Sequence, residues 1–301
     1  MTQIPDNDAP SSGDLPPEPR TGGQRVFLDL QRLARAEGRS SGRPTATQDY
    51  VTRHILESFL ARLRTTGHAN DFVLKGGLLL GAYDIRRPTK DVDSNAISAT
   101  VGEEWLTRVV RDVAECDADD GVLFDAEAVR VETIREDAGY GGVRLRMPAT
   151  VGPARGELVW DVSTGDPIVP APQLVQLPRV LGDPIAVWSY APETTVAEKA
   201  VTILERGITS TRWRDYVDIL QLHRQGLINR EVLRDSVRAV AAYRGVALRN
   251  LGEVTAGYGS LSQAKWAAWR RKNNLEDVCE ELLDDQMKLI VDLLSPVLDG
   301  D

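Results

Sequence analysis

Cysteine, histidine and methionine are scarce in this chain, which carries two, three and three of them. Cys116 and Cys279 lie far apart and form no C-x-x-C pair. That excludes a disulfide framework and fits reduced thiols in a cytoplasmic protein. His54, His68 and His223 have no ligand spacing, so a zinc site is not expected. No apolar run approaches the length of a membrane span, and the first residues lack the basic-then-apolar order of a secretory signal. Positive charge is also short. Against 45 Asp and Glu stand 36 Lys and Arg, a net charge of −9, which argues against a general nucleic-acid coat. The rest is ordinary for a globular chain, 42% hydrophobic and 27% charged over 301 residues, enough for one large domain or two moderate ones.

The charge is unevenly spread. Residues 201–275 hold 13 Lys or Arg against 6 Asp or Glu, and residues 276–301 hold 1 against 9. A basic segment ahead of an acidic tail permits an RNA-facing patch on an acidic protein, although solvated helix faces are the plainer explanation.

The most informative stretch is Phe72–Ile97, FVLKGGLLLGAYDIRRPTKDVDSNAI. It reads as a buried strand (Phe72–Leu74), a Lys75-Gly76-Gly77 turn, a short apolar helix (Leu78–Tyr83), an arginine-rich link and a second strand carrying Asp91-Val92-Asp93. Paired glycines let backbone N–H groups approach phosphate oxygens, and a helix N-terminus behind them adds a favourable dipole. Positions i and i+2 of a strand face the same way, so Asp91 and Asp93 aim two carboxylates at one point. Two such charges call for a cation, and hard oxygen ligands beside phosphate suit Mg²⁺. Alone, a Gly-Gly pair is a turn and a D-x-D is a solvated loop; the order of the parts is what is specific.

Around this stretch, residues 1–23 are rich in Pro, Asp, Ser and Gly and read as a disordered leader. Residues 24–37 place Val26, Phe27, Leu30 and Leu33 at helical spacing, with Gly38–Pro44 ending that helix. Thr47 reads as the N-cap of a second helix through Arg64, with Ile55, Leu56, Phe59, Leu60 and Leu63 as its core stripe. A helix from Gly102 turns Trp105, Val109, Val110 and Val113 inward. Residues 121–163 then change to strand alternation, with a turn at Gly139–Gly142 and a last strand from Gly156 to Val162. Residues 167–192 contain six prolines and read as a connecting loop with at most one short strand, the seam between two domains. From Glu193 the pattern is helical. In Glu193–Arg206 the apolar arc is Val196, Ala200, Ile203 and Leu204, and Lys199 and Arg206 project together beside it. In Arg212–Arg224, Asp215 turns inward and needs a cationic partner, for which Lys199 or Arg206 is available; a structural ion pair satisfies the same pattern. The run Lys265–Lys272 mixes Trp266 and Trp269 with bases, as an RNA-stacking surface or as plain core anchors.

Strand, Gly-Gly, helix, arginine-rich link and D-x-D in that order resemble the nucleotidyltransferase superfamily of DNA polymerase β-like enzymes. The runs RPTATQDYVTRHILESFLARL, FVLKGGLLL and RRPTKDVD resemble one branch of it, the AbiEii/AbiGii toxins of type IV toxin–antitoxin pairs, which include the MenT-type enzymes. E-K-x(6)-R followed by R-x-R-D-x-x-D-[IL] resembles that family's later motifs, so the likeness runs over roughly residues 40–225. The resemblance implies an α+β protein whose N-terminal half is α/β. A nucleotidyltransferase domain (24–170), with a mixed β-sheet flanked by helices, precedes an α-helical C-terminal domain (190–301) that completes the active site. It implies Asp91, Asp93 and a third acid as ligands of two Mg²⁺ ions. Asp161 is the best candidate for the third, with Asp166 in the next turn a weaker rival. Carried over, Lys199 contacts the triphosphate and Asp215 is the essential acid of the second domain. Lys75, Gly76 and Gly77 position phosphate, with Arg206, Arg212 and Arg214 as supporting charges.

The implied reaction is transfer of NMP from an NTP, CTP or another pyrimidine nucleotide, to the 3′ end of tRNA, which would block aminoacylation and translation. An antitoxin encoded nearby is the implied partner, and a monomer is the expected state. Two departures stand out: many relatives carry Gly-Ser or Gly-Thr at Gly76-Gly77, and a hydrophobic residue where this chain has Ser94. One rival keeps the chemistry and changes the acceptor to a protein or small-molecule hydroxyl. The other is a non-catalytic NTP-binding or interaction module, which has no need of three converging carboxylates.

Overall fold

The computed structural model describes residues 22–85, 88–97, 101–135 and 141–298. Helices α1 (Gly22–Ser41) and α2 (Thr47–Leu63) lead into β1 (Phe72–Lys75), the single turn α3 (Gly76–Leu79) and a 3₁₀ turn over Leu80–Tyr83. Next come β2 (Val92–Ala96), α4 (Glu103–Glu115), β3 (Val122–Phe124), β4 (Arg130–Arg135), β5 (Gly141–Val151), β6 (Ala154–Thr164), β7 (Gln173–Leu177) and β8 (Ile185–Ser189). The remainder is helical: α5 (Pro192–Arg206), α6 (Trp213–Arg224), α7 (Arg230–Arg244), α8 (Leu251–Val254), α9 (Tyr258–Lys272) and α10 (Leu283–Leu298).

The eight strands form one mixed sheet in the order β3-β5-β6-β2-β1-β8-β7, with β4 also paired to β5. β2 runs parallel to β6 and β1 parallel to β8, and the other pairs are antiparallel. One face of the sheet is packed by the N-terminal helices. Ile55, Leu56 and Phe59 of α2 and Val109, Val110 and Val113 of α4 are fully buried with Trp160, whose ring lies 4.9 Å from Phe59 and 4.6 Å from Phe72. A buried aromatic of that size contributes about 3–5 kcal/mol against truncation to alanine. Ser94 sits in the same layer at 2% exposure, and its hydroxyl accepts the Trp160 indole N–H at 3.1 Å. The hydroxyl therefore satisfies a buried donor that an aliphatic side chain would leave unpaired.

A second apolar core lies among α5–α10 and includes Val196, Ala200, Ile219, Trp266 and Ile290. Two members come from the other end of the chain: Leu80 and Ile85, which follow the glycine turn, belong to this core and not to the sheet's.

Several local expectations are corrected. α1 begins at Gly22 and runs through Gly38 to Ser41, ending where Gly42 takes a φ of +67°; its buried residues are Leu30 and Ala34, while Leu33 is exposed. Thr47 is the first helical residue of α2, not its cap, and Ala46 in the cap position offers no side-chain acceptor. α3 starts at Gly76, two residues earlier than the apolar run suggests, and α4 starts at Glu103. The proline-rich 167–192 segment is not a loop with one strand at most. β7 and β8 pair in register from Gln173↔Ser189 to Leu177↔Ile185 and extend the sheet beside β1. The prolines lie outside the paired residues, where no ladder N–H is lost. The leader over 1–21, the Arg86-Arg87 link and most of the turn before Gly141 lie outside the described residues; Gly141 and Gly142 themselves belong to β5.

Candidate active site

Register builds the site. Lys75 pairs with Asp93 across β1 and β2, Asp93 with Asp161 across β2 and β6, and Arg144 with Asp161 across β5 and β6. Lys75, Asp93, Asp161 and Arg144 therefore stand in one row across four strands. Residues aligned in this way share a face, here the one away from Trp160. Asp91, immediately before β2, completes a cluster in which one carboxylate oxygen each from Asp91, Asp93 and Asp161 lies within 4.8 Å of the others. Thr89 donates to Asp91 at 3.3 Å.

The row is charged plus, minus, minus, plus, with the negatives adjacent. Burial, followed by the neighbouring Asp91 and Asp161 charges, pushes the Asp93 carboxyl up to about 7. Three carboxylates drawn this close, one of them resisting ionisation, fit a hard divalent cation that would accept their oxygens. Asp161 is already engaged: Arg144 donates from Nε to Oδ1 at 2.7 Å and from Nη2 to Oδ2 at 2.5 Å. Its rival Asp166 belongs elsewhere, with Lys75 at 3.2 Å and Arg244 at 3.8 Å.

Lys75 ends β1 with its ammonium on Asp166 and on Glu198 of α5 at 3.3 Å, 5.5 Å from the Tyr190 ring centroid. Burial works to lower that ammonium's pKa, but Glu198, Tyr190, Asp166 and Asp93 together leave it above its ordinary value. Lys75 therefore stays charged and ties the sheet to the helical region. Glu198, Tyr190 and Arg244 are absent from the residues singled out in the sequence. Glu198 directly precedes Lys199 in the E-K pair, and that adjacency was the available signal.

Gly76 has a φ of +72°, a conformation that favours glycine, and a Cβ there would run into Asp93. Glycine is thus required by the backbone and by the Asp93 carboxylate together. The helix behind it is one α turn continued as 3₁₀, so its summed dipole is small. What the turn offers a ligand is close backbone approach.

On the helical side, Lys199 of α5 donates to Asp215 at 2.5 Å and to Asp218 at 3.0 Å, and Arg212 donates to Asp215 at 2.8 Å. Burial works to raise the Asp215 carboxyl, yet the Lys199 and Arg212 charges hold it below the usual carboxylate range. The partner for Asp215 is thus Lys199, as the helical phase allowed, with Arg212 as a second. Asp218, fully buried on the same helix, was not singled out.

Sheet face and helices enclose a cavity of about 770 Å³. Gly76, Gly77 and the three aspartates line one wall, and Lys199, Arg206, Arg212 and Arg214 line the other. Lys75 and Asp215 line the same cavity, so all eleven residues predicted for the site or its supporting charges meet there. The Lys265–Lys272 run divides. Trp266 is fully buried and donates to the Glu280 carbonyl at 3.1 Å, and buried Arg270 donates to the Glu276 and Cys279 carbonyls. Trp269, stacked on Trp266 at 5.3 Å, reaches the cavity together with Trp213.

A mixed sheet presenting a carboxylate triad beside a glycine turn, faced by basic helices, is the architecture of a nucleotidyltransferase. The model of one family, the nucleotidyl transferase AbiEii toxins of type IV toxin–antitoxin systems, matches residues 58–287. The chain belongs to that family. No curated protein matches it. Among solved structures, a provisionally assigned nucleotidyltransferase from H. pylori is similar, at 16% identity and a TM-score of 0.47 over 84% of this chain and 97% of the other. JHP933 from Helicobacter pylori is similar at 15% identity and a TM-score of 0.42, over 76% and 96%.

Among the described residues no helix is long and apolar enough to cross a membrane. Cys116 and Cys279 are free thiols.

Proposed function

We propose that this toxin transfers NMP from an NTP, CTP or another pyrimidine nucleotide, to the 3′ acceptor end of tRNA, and that the modified tRNA can no longer be aminoacylated. The observation that carries the reading is the three-carboxylate cluster beside Gly76 and Gly77, in a cavity of about 770 Å³ with a basic opposite wall. In the transfer, a 3′ hydroxyl releases its proton to solvent as its oxygen bonds to the α-phosphorus, the bond from that phosphorus to the bridging oxygen breaks, and pyrophosphate leaves. Asp91, Asp93 and Asp161 would hold two Mg²⁺ ions, which when bound lower the pKa of the attacking hydroxyl and stabilise the pyrophosphate.

The chain's own groups supply the rest. Gly76 and Gly77 bring backbone N–H groups close to the triphosphate. Lys199, fixed by Asp215 and Asp218, sets a positive charge opposite the triad, while Arg206 and Arg214 extend that charge along the cavity. Asp215 keeps Lys199 in place as a buried counter-charge and does not need to reach substrate itself. Lys75, held by Asp166 and Glu198, ties the sheet to α5 beside the triad. Trp213 and Trp269 give a nucleobase an aromatic surface near the basic wall. The choice of pyrimidine and of tRNA rests on family resemblance, and so do an antitoxin encoded nearby, a cytoplasmic setting and a monomeric state.

The test is incubation with each labelled NTP, Mg²⁺, total tRNA and cell protein, resolved on one gel. Label in the tRNA band, strongest with CTP, supports the reading. Label in protein or in a small-molecule fraction instead transfers the same chemistry to another hydroxyl acceptor. Nucleotide binding that ignores Mg²⁺, with no label anywhere, would leave only a non-catalytic module.

A further inference from the structure

Among the described residues, Asp161 is the one member of the triad whose two carboxylate oxygens are both taken by a guanidinium. The pairing is built by register, because Arg144 stands directly opposite Asp161 on the neighbouring strand. The fork is planar and two-pronged, the strongest form of this contact. The Arg144 side chain is nevertheless 33% exposed and lines the same cavity as Gly76, Gly77 and Arg214, so it has room to turn. A guanidinium fits phosphate oxygens as well as a carboxylate. The fields of Asp91 and Asp93 also bear on Arg144, in addition to its bond with Asp161. A divalent cation drawn to the triad thus meets a positive charge already seated on one of its ligands.

We propose that Arg144 is a displaceable counter-cation: it holds Asp161 while the triad is metal-free, and an incoming triphosphate draws it off so that Asp161 can join the metal site. The inference rests on the reading of Asp91, Asp93 and Asp161 as metal ligands. Two consequences follow from charge alone. Without nucleotide, Arg144 competes with the cation for Asp161 and weakens metal binding. With nucleotide, Arg144 gains a second anionic partner, so nucleotide and metal each tighten the binding of the other by the same factor. Arg144 acts here as a positioning residue.

The experiment is Mn²⁺ titration followed by the EPR signal of the free ion, with and without an α,β-methylene nucleotide analogue that cannot be turned over. Wild type should bind Mn²⁺ weakly alone and more tightly with the analogue. Arg144→Gln should bind Mn²⁺ alone roughly tenfold more tightly than wild type, the size of a lost charged hydrogen-bonded pair, and gain less from the analogue. Adding Asp161→Asn should cancel the gain. Arg144→Lys keeps the charge without the fork, and should show a smaller gain of the same sign if Arg144→Gln fails to fold. Mn²⁺ affinity in these variants no higher than wild type overturns the proposal while leaving the metal site standing. Wild type that binds no Mn²⁺ even with the analogue overturns both.

Discussion

Gly76 and Asp93 are packed so closely that a Cβ on Gly76 would overlap the Asp93 carboxylate. The φ of +72° at Gly76 adds a second objection to any side chain there. We predict that Gly76→Ala costs about 1–3 kcal/mol from backbone strain and also moves the carboxylate. Transfer activity should therefore fall further than the loss of folded protein explains. Activity per folded molecule equal to wild type, with folding monitored by circular dichroism, would refute this link.

Asp93 predicts a pH dependence. Its unfolded value is near the ordinary aspartate value of about 4, whereas the folded value is about 7. Between those values the folded state holds a proton that the unfolded state has released. Metal-free stability should therefore fall as pH rises through that window. Asp93→Asn removes the effect, so in EDTA its melting temperature should exceed that of wild type at pH 8, with the difference shrinking toward pH 5. A constant difference across the range would count against a raised Asp93.

Metal addition should act in the opposite sense. At about 100 times its dissociation constant at pH 8, Mg²⁺ should stabilise wild type by about 2.7 kcal/mol through linkage, and the same concentration should stabilise it less at pH 6. Asp91→Asn combined with Asp93→Asn should abolish the stabilisation and reduce transfer by more than about 100-fold, beyond what loss of an outer partner costs a metal site. Equal Mg²⁺ stabilisation of both proteins, by scanning calorimetry, would place the ion elsewhere.

Lys199 and Arg214 separate stability from binding. Lys199→Met leaves Asp215 and Asp218 buried with less positive charge, at a cost of about 3 kcal/mol. Because the Asp215 carboxyl is held low in the folded protein, that loss should be complete above the ordinary aspartate value and fade as pH falls through the folded value. Arg214 is exposed, so Arg214→Ala should leave the melting temperature within about 0.5 kcal/mol equivalent and raise the apparent KM for NTP about tenfold. Urea melts with NTP titrations distinguish the two, and a destabilised Arg214→Ala would contradict the assignment.

Periodicity carries far in this chain, and where it stops is physically clear. The two-residue spacing of Asp91 and Asp93 and the helical phase of Lys199 and Asp215 are local, so their direction follows from strand and helix geometry. Ile55, Leu56 and Phe59, Val109 and Val110, and Val196 and Ala200 are buried as their spacing requires. Arg144 is different. Its partner is set by the register of β5 on β6, a pairing that no local pattern specifies. β7 and β8 are short and partly exposed, with β7 at the sheet edge and Leu174 and Trp188 in solvent, so alternation is weak where the prolines suggest a loop. Lys75 carries no mark of its partners, because Asp166 and Glu198 arrive from 91 and 123 residues away.

Leu80 and Ile85 carry one more consequence. They leave the glycine turn and sink into the apolar interior formed by α5–α10, so the backbone that would meet a triphosphate is moored to the C-terminal half of the molecule. A change in the packing of those helices is therefore felt at Gly76 through Leu80 and Ile85, a few residues along the chain.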